Sequence, residues 1–135
     1  MTQPRGIRNN NPGNIRHGDK WQGLADKQTD ASFCVFKAPE WGIRALVKIL
    51  RNYQTKHGLK TVESIINRFA PQIENDTSSY ILSVCQVLDV KPRDVIDVFE
   101  PGIMINLLKA VIRHENGIQP YSDEILKKSL ELADK

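Results

Sequence analysis

The chain has 135 residues, of which 40% are hydrophobic and 26% charged, with a formal net charge of +3 and an isoelectric point near 8.9. This length and balance are typical of one globular domain with its own core. No apolar run approaches the roughly 18 residues of a transmembrane helix, so membrane insertion is not expected. The opening residues MTQPRGIRNNN lack the apolar segment of a signal peptide, which predicts synthesis in the cytoplasm.

Few residues favour bound metals, cofactors or nucleic acid. Cys34 and Cys85 lie in apolar segments and are expected to be buried free thiols. His17, His57 and His114 share no metal-ligand spacing, so neither a metal nor a cofactor is expected. The basic charge is compatible with an anionic polymer, but lysine and arginine are spread along the chain, which disfavours a nucleic-acid partner.

The N-terminal third is predicted to consist of an irregular loop followed by a small β-hairpin. The stretch RGIRNNNPGNIRHG, residues 5–18, combines Asn, Pro and Gly and predicts a shaped loop. WQGLADKQTDASFCVFK predicts a small β-hairpin over residues 21–37. We expect a single domain over residues 1–135, with a loop at 1–20, this hairpin, and a helical part at 38–135.

Helical spacing and capping residues dominate the remainder. The fold class is therefore mainly α (α+β), with one small hairpin. The predicted helices are Pro39 to His57, Val62 to Phe69 capped by Thr61, one capped by Asp76 or Thr77 and reaching Leu88, a short one from Arg93 to Val98, one from about Ile103 to Glu115, and one capped by Ser122 and reaching about Asp134.

Glu115 is the most informative single residue. With Leu108, Val111 and Ile112 it stands at i, i+3, i+4 and i+7, so it continues an apolar stripe. It also lies in the last helical turn, where the helix dipole disfavours a negative charge. Both effects are expected to raise its pKa, as a general acid requires. The alternative is an ordinary helix end closed by Gly117, at which Arg113 or His114 pairs with Glu115 and lowers its pKa.

IRHENG and NNNPGNIR, taken together, resemble the lysozyme-like peptidoglycan-cleaving enzymes, which include lytic transglycosylases and flagellar-type glucosaminidases. In these families a catalytic helix ends in a Glu followed by a small or polar residue and Gly, and an Asn-rich "NNxFGIK" stretch lies beside the active site. VFKAPEWGIRALVKIL and ENDTSSYILSV resemble two further helix starts of these enzymes. Residues 5–121 also resemble small phage and prophage virion proteins to which muralytic activity is ascribed.

The order of the motifs differs from those families. There the catalytic helix precedes the Asn-rich loop, whereas here Glu115 lies near the C-terminus and only four residues precede Arg5. We therefore expect a circularly permuted lysozyme-like domain in which the Glu115 helix folds back beside the N-terminal loop.

The resemblance implies cleavage of the β-1,4 glycan backbone of peptidoglycan, with Glu115 as general acid. Glu74 is the candidate second carboxylate; Asp76 is a weaker one, since it suits a helix cap better. A second carboxylate would allow hydrolysis, whereas its absence would favour closure of an anhydro ring by the substrate's own 6-hydroxyl. Tyr80 either stabilises developing charge, stacks on a sugar, or packs in the core.

The expected substrate-binding residues are polar or aromatic and come from the N-terminal region. Alternatively, the asparagine side chains only hold the loop together through hydrogen bonds to its own backbone. This second role is preferred for Asn9. The substrate-binding set is Asn10, Asn11, Gly13, Asn14, Arg16 and Trp21. Arg16 either contacts acidic muropeptide groups or faces only solvent, and Trp21 either packs in the fold or forms a platform for a sugar.

The rival hypothesis is a non-catalytic phage structural or glycan-binding protein of the same fold. The enzyme is expected to be a monomer that acts on the periplasmic cell wall after delivery by a holin, a virion or a secretion machine.

Overall fold

The computed structural model describes residues 3–71 and 76–135, and over these ranges the fold is almost entirely helical. Its helices are α1 (Arg5–Arg8), α2 (Pro39–His57), α3 (Val62–Phe69), α4 (Thr77–Leu88), α5 (Pro101–Asn116) and α6 (Asp123–Ala133). The prediction of a mainly α fold is thus confirmed. None of the helices described is both long and apolar enough to cross a membrane.

Local chemistry sets the helix ends much as predicted. Thr61 and Ser64 form a reciprocal capping box at the start of α3. Asp76 caps α4 by accepting a hydrogen bond from the Ser79 N–H, and Ser122 caps α6 in the same way. Gly58 and Gly117 close α2 and α5 in the left-handed conformation that glycine adopts at little cost.

The core lies between the long helices. Helix α2 packs against α5 and α6, while α4 packs against α3 and α5. Both cysteines are buried and free, as expected. The largest fully buried side chains are Phe36, Ile43, Leu46, Leu50, Ile65, Ile66, Tyr80, Met104, Leu107, Leu108, Ile112 and Leu126.

The prediction of a β-hairpin over residues 21–37 is wrong, because these residues form no regular strands. Only isolated antiparallel bridges join Arg16 to Phe33 and Leu24 to Phe36. The Gln28 side chain donates to the Ala25 and Val35 carbonyls and accepts from the Val35 N–H, so it takes over bonds that a β-ladder would make.

Two further predictions are corrected. Residues 93–98 form no helix: the Asp94 carboxylate accepts from the Lys91 N–H and makes a turn, and Val95 bridges to Thr61. The N-terminal stretch, predicted as pure loop, begins with the single helical turn of α1.

The rest of the N-terminal stretch is a loop held by its own amides. The buried Asn11 side chain donates to the Ile15 and Cys34 carbonyls and accepts from the Ile15 N–H. The loop lies directly on α2, because the Asn10 carbonyl occupies the space where a side chain of Gly42 would stand. Glycine at 42 is therefore required for the loop to reach this position.

Candidate functional site

Glu115 lies in the last turn of α5, where the buried stripe of the helix meets the surface. Leu108, Val111 and Ile112 are buried, and Glu115 is half-buried. No ion pair among the described residues includes Glu115, so the alternative in which Arg113 or His114 neutralises it is not found there.

The Asn-rich loop reaches Glu115 through one side chain. Asn14 Nδ2 donates a hydrogen bond of 3.1 Å to Glu115 Oε1, although the two residues are 101 positions apart. Asn14 has φ 51°, a left-handed conformation that asparagine tolerates better than most residues. The loop therefore fixes an amide donor on one oxygen of the carboxylate.

A second contact fastens the loop to the end of α5. Asn116 Nδ2 donates to the Pro12 carbonyl at 2.8 Å and to the Ile112 carbonyl at 2.9 Å. The Oδ1 atoms of Asn116 and Asn14 both lie over Gly6, at 2.5 and 2.8 Å from the position that a Cβ atom would take. The absence of a side chain at Gly6 leaves room for both amides.

Tyr80 lies beneath Glu115 and is fully buried. Its ring stacks on His114 with 3.8 Å between the centroids and 20° between the planes. The hydroxyl makes no hydrogen bond of full geometry among the described residues. It nevertheless interacts electrostatically with the Glu115 carboxylate. Burial, and then the charge of Glu115, raise the pKa of Tyr80, so this hydroxyl is protonated at neutral pH.

An open cavity of about 630 Å³ lies beside Asn14 and Glu115. This volume is within the range of roughly 300–1,000 Å³ that small-ligand sites occupy. Glu115 is the single carboxylate in the described part of its lining. The lining consists of Gly13, Asn14, Ile15, Arg16, Phe33, Ile49, Tyr53, Phe69, Ala70 and Glu115.

The predicted site residues fall into two groups. Gly13, Asn14 and Arg16 line the cavity with Glu115, and Trp21 lines a neighbouring one. Asn10 and Asn11 line neither, and their amides are used inside the fold.

Asn10 Nδ2 donates to the Phe36 carbonyl, and Asn11 makes the buried loop bonds given above. These two amides hold the loop, and their assignment as substrate-binding residues stays a prediction. Asn9 donates to the Asp30 carboxylate, in the holding role preferred for it. Glu74 lies outside the described residues, and Asp76 is a helix cap.

Sequence reasoning missed several residues of the site. Tyr53 stands at helical spacing with other apolar residues of α2, which indicated only a core-facing helix, and Ile49 was not singled out. Phe69 likewise looked like an ordinary apolar position of α3. Gly6 and Asn116 act through a contact between the two ends of the chain, for which no local pattern gives a signal.

Comparison with known proteins relates the chain to a phage protein. No protein-family model matches the chain. The chain is 41% identical over 133 residues to Protein P5 of Pseudoalteromonas phage PM2, and the match covers 94% of this chain and 80% of that protein. The expected similarity to phage proteins is therefore confirmed.

Proposed function

This chain belongs to the family of Protein P5 of Pseudoalteromonas phage PM2, and from the geometry around Glu115 we propose that it cleaves the β-1,4 glycan backbone of peptidoglycan. The proposed domain is lysozyme-like and circularly permuted, with the loop of residues 9–16 supplying the wall that faces the catalytic helix. The observation that carries the proposal is the 3.1 Å hydrogen bond from Asn14 to Glu115 at the edge of an open cavity.

Glu115 is the proposed general acid. In its protonated form it gives a proton to the glycosidic oxygen as the bond to the anomeric carbon breaks. Asn14 occupies Oε1, which leaves the other carboxyl oxygen to carry and deliver the proton. The protonated Tyr80 hydroxyl donates toward the carboxylate that remains and so favours it.

The outcome at the anomeric carbon depends on a second carboxylate. Glycosidases that hydrolyse through two carboxylates hold them roughly 5–9.5 Å apart. Glu115 is the only carboxylate in the described lining of the cavity, so we propose that the substrate's 6-hydroxyl attacks the anomeric carbon, gives its proton to the Glu115 carboxylate and closes an anhydro ring, as in lytic transglycosylases. Glu74 remains the candidate that would instead support hydrolysis.

Zymography on purified peptidoglycan tests the proposal. Glu115→Gln keeps the size of the side chain and an oxygen that can accept from Asn14, but it cannot deliver a proton. Wild type should clear the gel and Glu115→Gln should not, whereas the exposed helix variant Glu131→Gln should clear it as wild type does. Equal clearing by wild type and Glu115→Gln would reject Glu115 as the acid.

A non-catalytic glycan-binding role is the second candidate, favoured by the presence of just one carboxylate in the described lining. In that case wild type and Glu115→Gln should both bind peptidoglycan and neither should clear it.

A further inference from the structure

A second cavity of about 610 Å³ adjoins the one beside Glu115. Its lining consists of Asp19, Trp21, Lys48, Ile49, Asn52, Tyr53 and Arg68. Ile49 and Tyr53 line both cavities, so the two share a wall on α2. A linear ligand bound at Glu115 can therefore continue over α2 into the second cavity.

The second cavity has an excess of positive charge. Lys48 and Arg68 line it, and Asp19 is the only carboxylate in its described lining. The ion pairs among the described residues include neither Lys48 nor Arg68. Both cations are thus available to a negatively charged ligand.

The arginines of the two cavities are oriented by aromatic rings. The Arg68 guanidinium lies 5.4 Å from the centroid of Tyr53, and that of Arg16 lies 5.0 Å from the centroid of Phe33. A guanidinium resting on a ring keeps its N–H groups free for a carboxylate. Positive charge therefore extends from the first cavity, at Arg16, into the second.

We propose that the second cavity binds carboxylates carried by the glycan strand, with Lys48 and Arg68 as the binding cations and Trp21 as an apolar surface beside them. This inference rests on the proposed function. The sugar rings of the strand are neutral, so its negative charges lie on lactyl groups or on stem peptides. A site with two cations that form no ion pair with the described residues favours such strands over an uncharged β-1,4 glycan.

Calorimetric titration of the full-length Glu115→Gln protein tests this, because the ligand is then not consumed. Three soluble ligands of matched length are compared: peptide-bearing strands, strands stripped of peptides by an amidase, and chitooligosaccharides, which carry no carboxylate. The proposal predicts tighter binding of the first two. Tighter binding of the stripped strands would assign the lactyl carboxylate, which is amide-bonded in the peptide-bearing strands, and tighter binding of the peptide-bearing strands would assign the stem peptide.

Removing the two cations should abolish this preference. Lys48→Gln with Arg68→Gln should weaken binding of the carboxylate-bearing strands about tenfold and leave chitooligosaccharide binding unchanged, which also shows that the variant is folded. Lys127→Gln with Lys128→Gln removes the same charge from exposed positions of α6 and should have no such effect.

Two results would overturn the inference while leaving the proposed function intact: equal affinity of the parent protein for all three ligands, or equal losses in the two double variants. Failure of all three ligands to bind would overturn the proposed function as well.

Discussion

Asn14 and Glu115 meet in a 3.1 Å hydrogen bond between Asn14 Nδ2 and Glu115 Oε1, which joins the N-terminal loop to the end of the penultimate helix. The contact determines which oxygen of the carboxyl group faces the loop. It also brings the two halves of the proposed active site together across nearly the whole length of the chain.

Asn14→Gly tests the contact without disturbing the backbone. Glycine adopts the φ of 51° found at this position, so only the amide is lost. We expect peptidoglycan cleavage to fall roughly 10- to 100-fold, because the carboxyl group loses its fixed orientation. The rate of release of soluble fragments measures this, with the exposed Gln22→Ala as control. An unchanged rate would mean that Asn14 does not position Glu115.

Gly6→Ala tests how tightly the loop and α5 are fitted together. A methyl group here would meet Asn116 Oδ1 at 2.5 Å and Asn14 Oδ1 at 2.8 Å, so both amides must move. We expect a loss of about 1–3 kcal/mol in the free energy of unfolding, measured with chemical denaturant.

Gly102→Ala is the matched control for this change. It has no neighbour nearer than Glu100 Oε1 at 3.7 Å, and alanine favours the helix in which it lies. Its free energy of unfolding should be unchanged or higher, and equal losses in both variants would contradict the fitted-contact explanation.

Tyr80→Phe separates a catalytic role from a packing role. The ring and its stacking on His114 remain, while a buried hydroxyl without a full hydrogen bond is removed. Thermal stability should therefore be unchanged or higher. Cleavage should fall about tenfold, because the donor that favours the Glu115 carboxylate is gone.

Tyr121→Phe supplies the control, since the Tyr121 hydroxyl is also buried and lacks a partner among the described residues, but Glu115 does not contribute to its pKa shift as it does to that of Tyr80. Burial raises its pKa to about 12. The two variants should have similar thermal stability, and only Tyr80→Phe should lose peptidoglycan cleavage. Full activity in Tyr80→Phe would mean that Tyr80 has only a packing role.

Asp30→Asn tests the anchor of the N-terminal loop. The Arg5 guanidinium above all, and then the Ser32 N–H and the Asn9 amide, hold the pKa of Asp30 well below its ordinary value. An unfolded-state carboxyl with a pKa of about 3.9 takes up a proton first as the pH falls. The stabilisation by ionised Asp30 is therefore complete above about pH 5 and declines as the pH falls toward the folded pKa.

Thermal unfolding of wild type and Asp30→Asn at several pH values measures this. The gap in Tm should be constant from about pH 7 to pH 5 and shrink toward about pH 3. Asp26→Asn, at an exposed position, should leave Tm unchanged. A gap that is independent of pH down to about pH 3 would contradict the role given to the ionised carboxylate.

The helix ends were predictable because their signals are local. Thr61 with Ser64, Asp76, Ser122 and Gly117 act within one turn of the chain, and each marks the boundary found. The β-hairpin prediction for residues 21–37 failed because a side chain replaces part of the backbone pairing between its strands. Gln28 took over bonds expected of a hairpin.

The candidate site was predictable only in part. Glu115 stood out because a carboxylate continues an apolar stripe, and the Asn-rich loop because its composition suits a shaped turn. Asn10 and Asn14 both have a left-handed backbone, but tertiary packing places Asn10 against the Phe36 carbonyl and Asn14 against Glu115. Their identical side chains therefore have different roles, and no spacing in the sequence distinguishes them.

The most direct measurement is mass spectrometry of the fragments released from peptidoglycan by wild type and by Glu115→Gln. The proposal predicts disaccharide fragments cut at the β-1,4 bond and ending in 1,6-anhydro rings with wild type, and none with Glu115→Gln. Absence of glycan fragments with wild type, or the same fragments with both proteins, would contradict it.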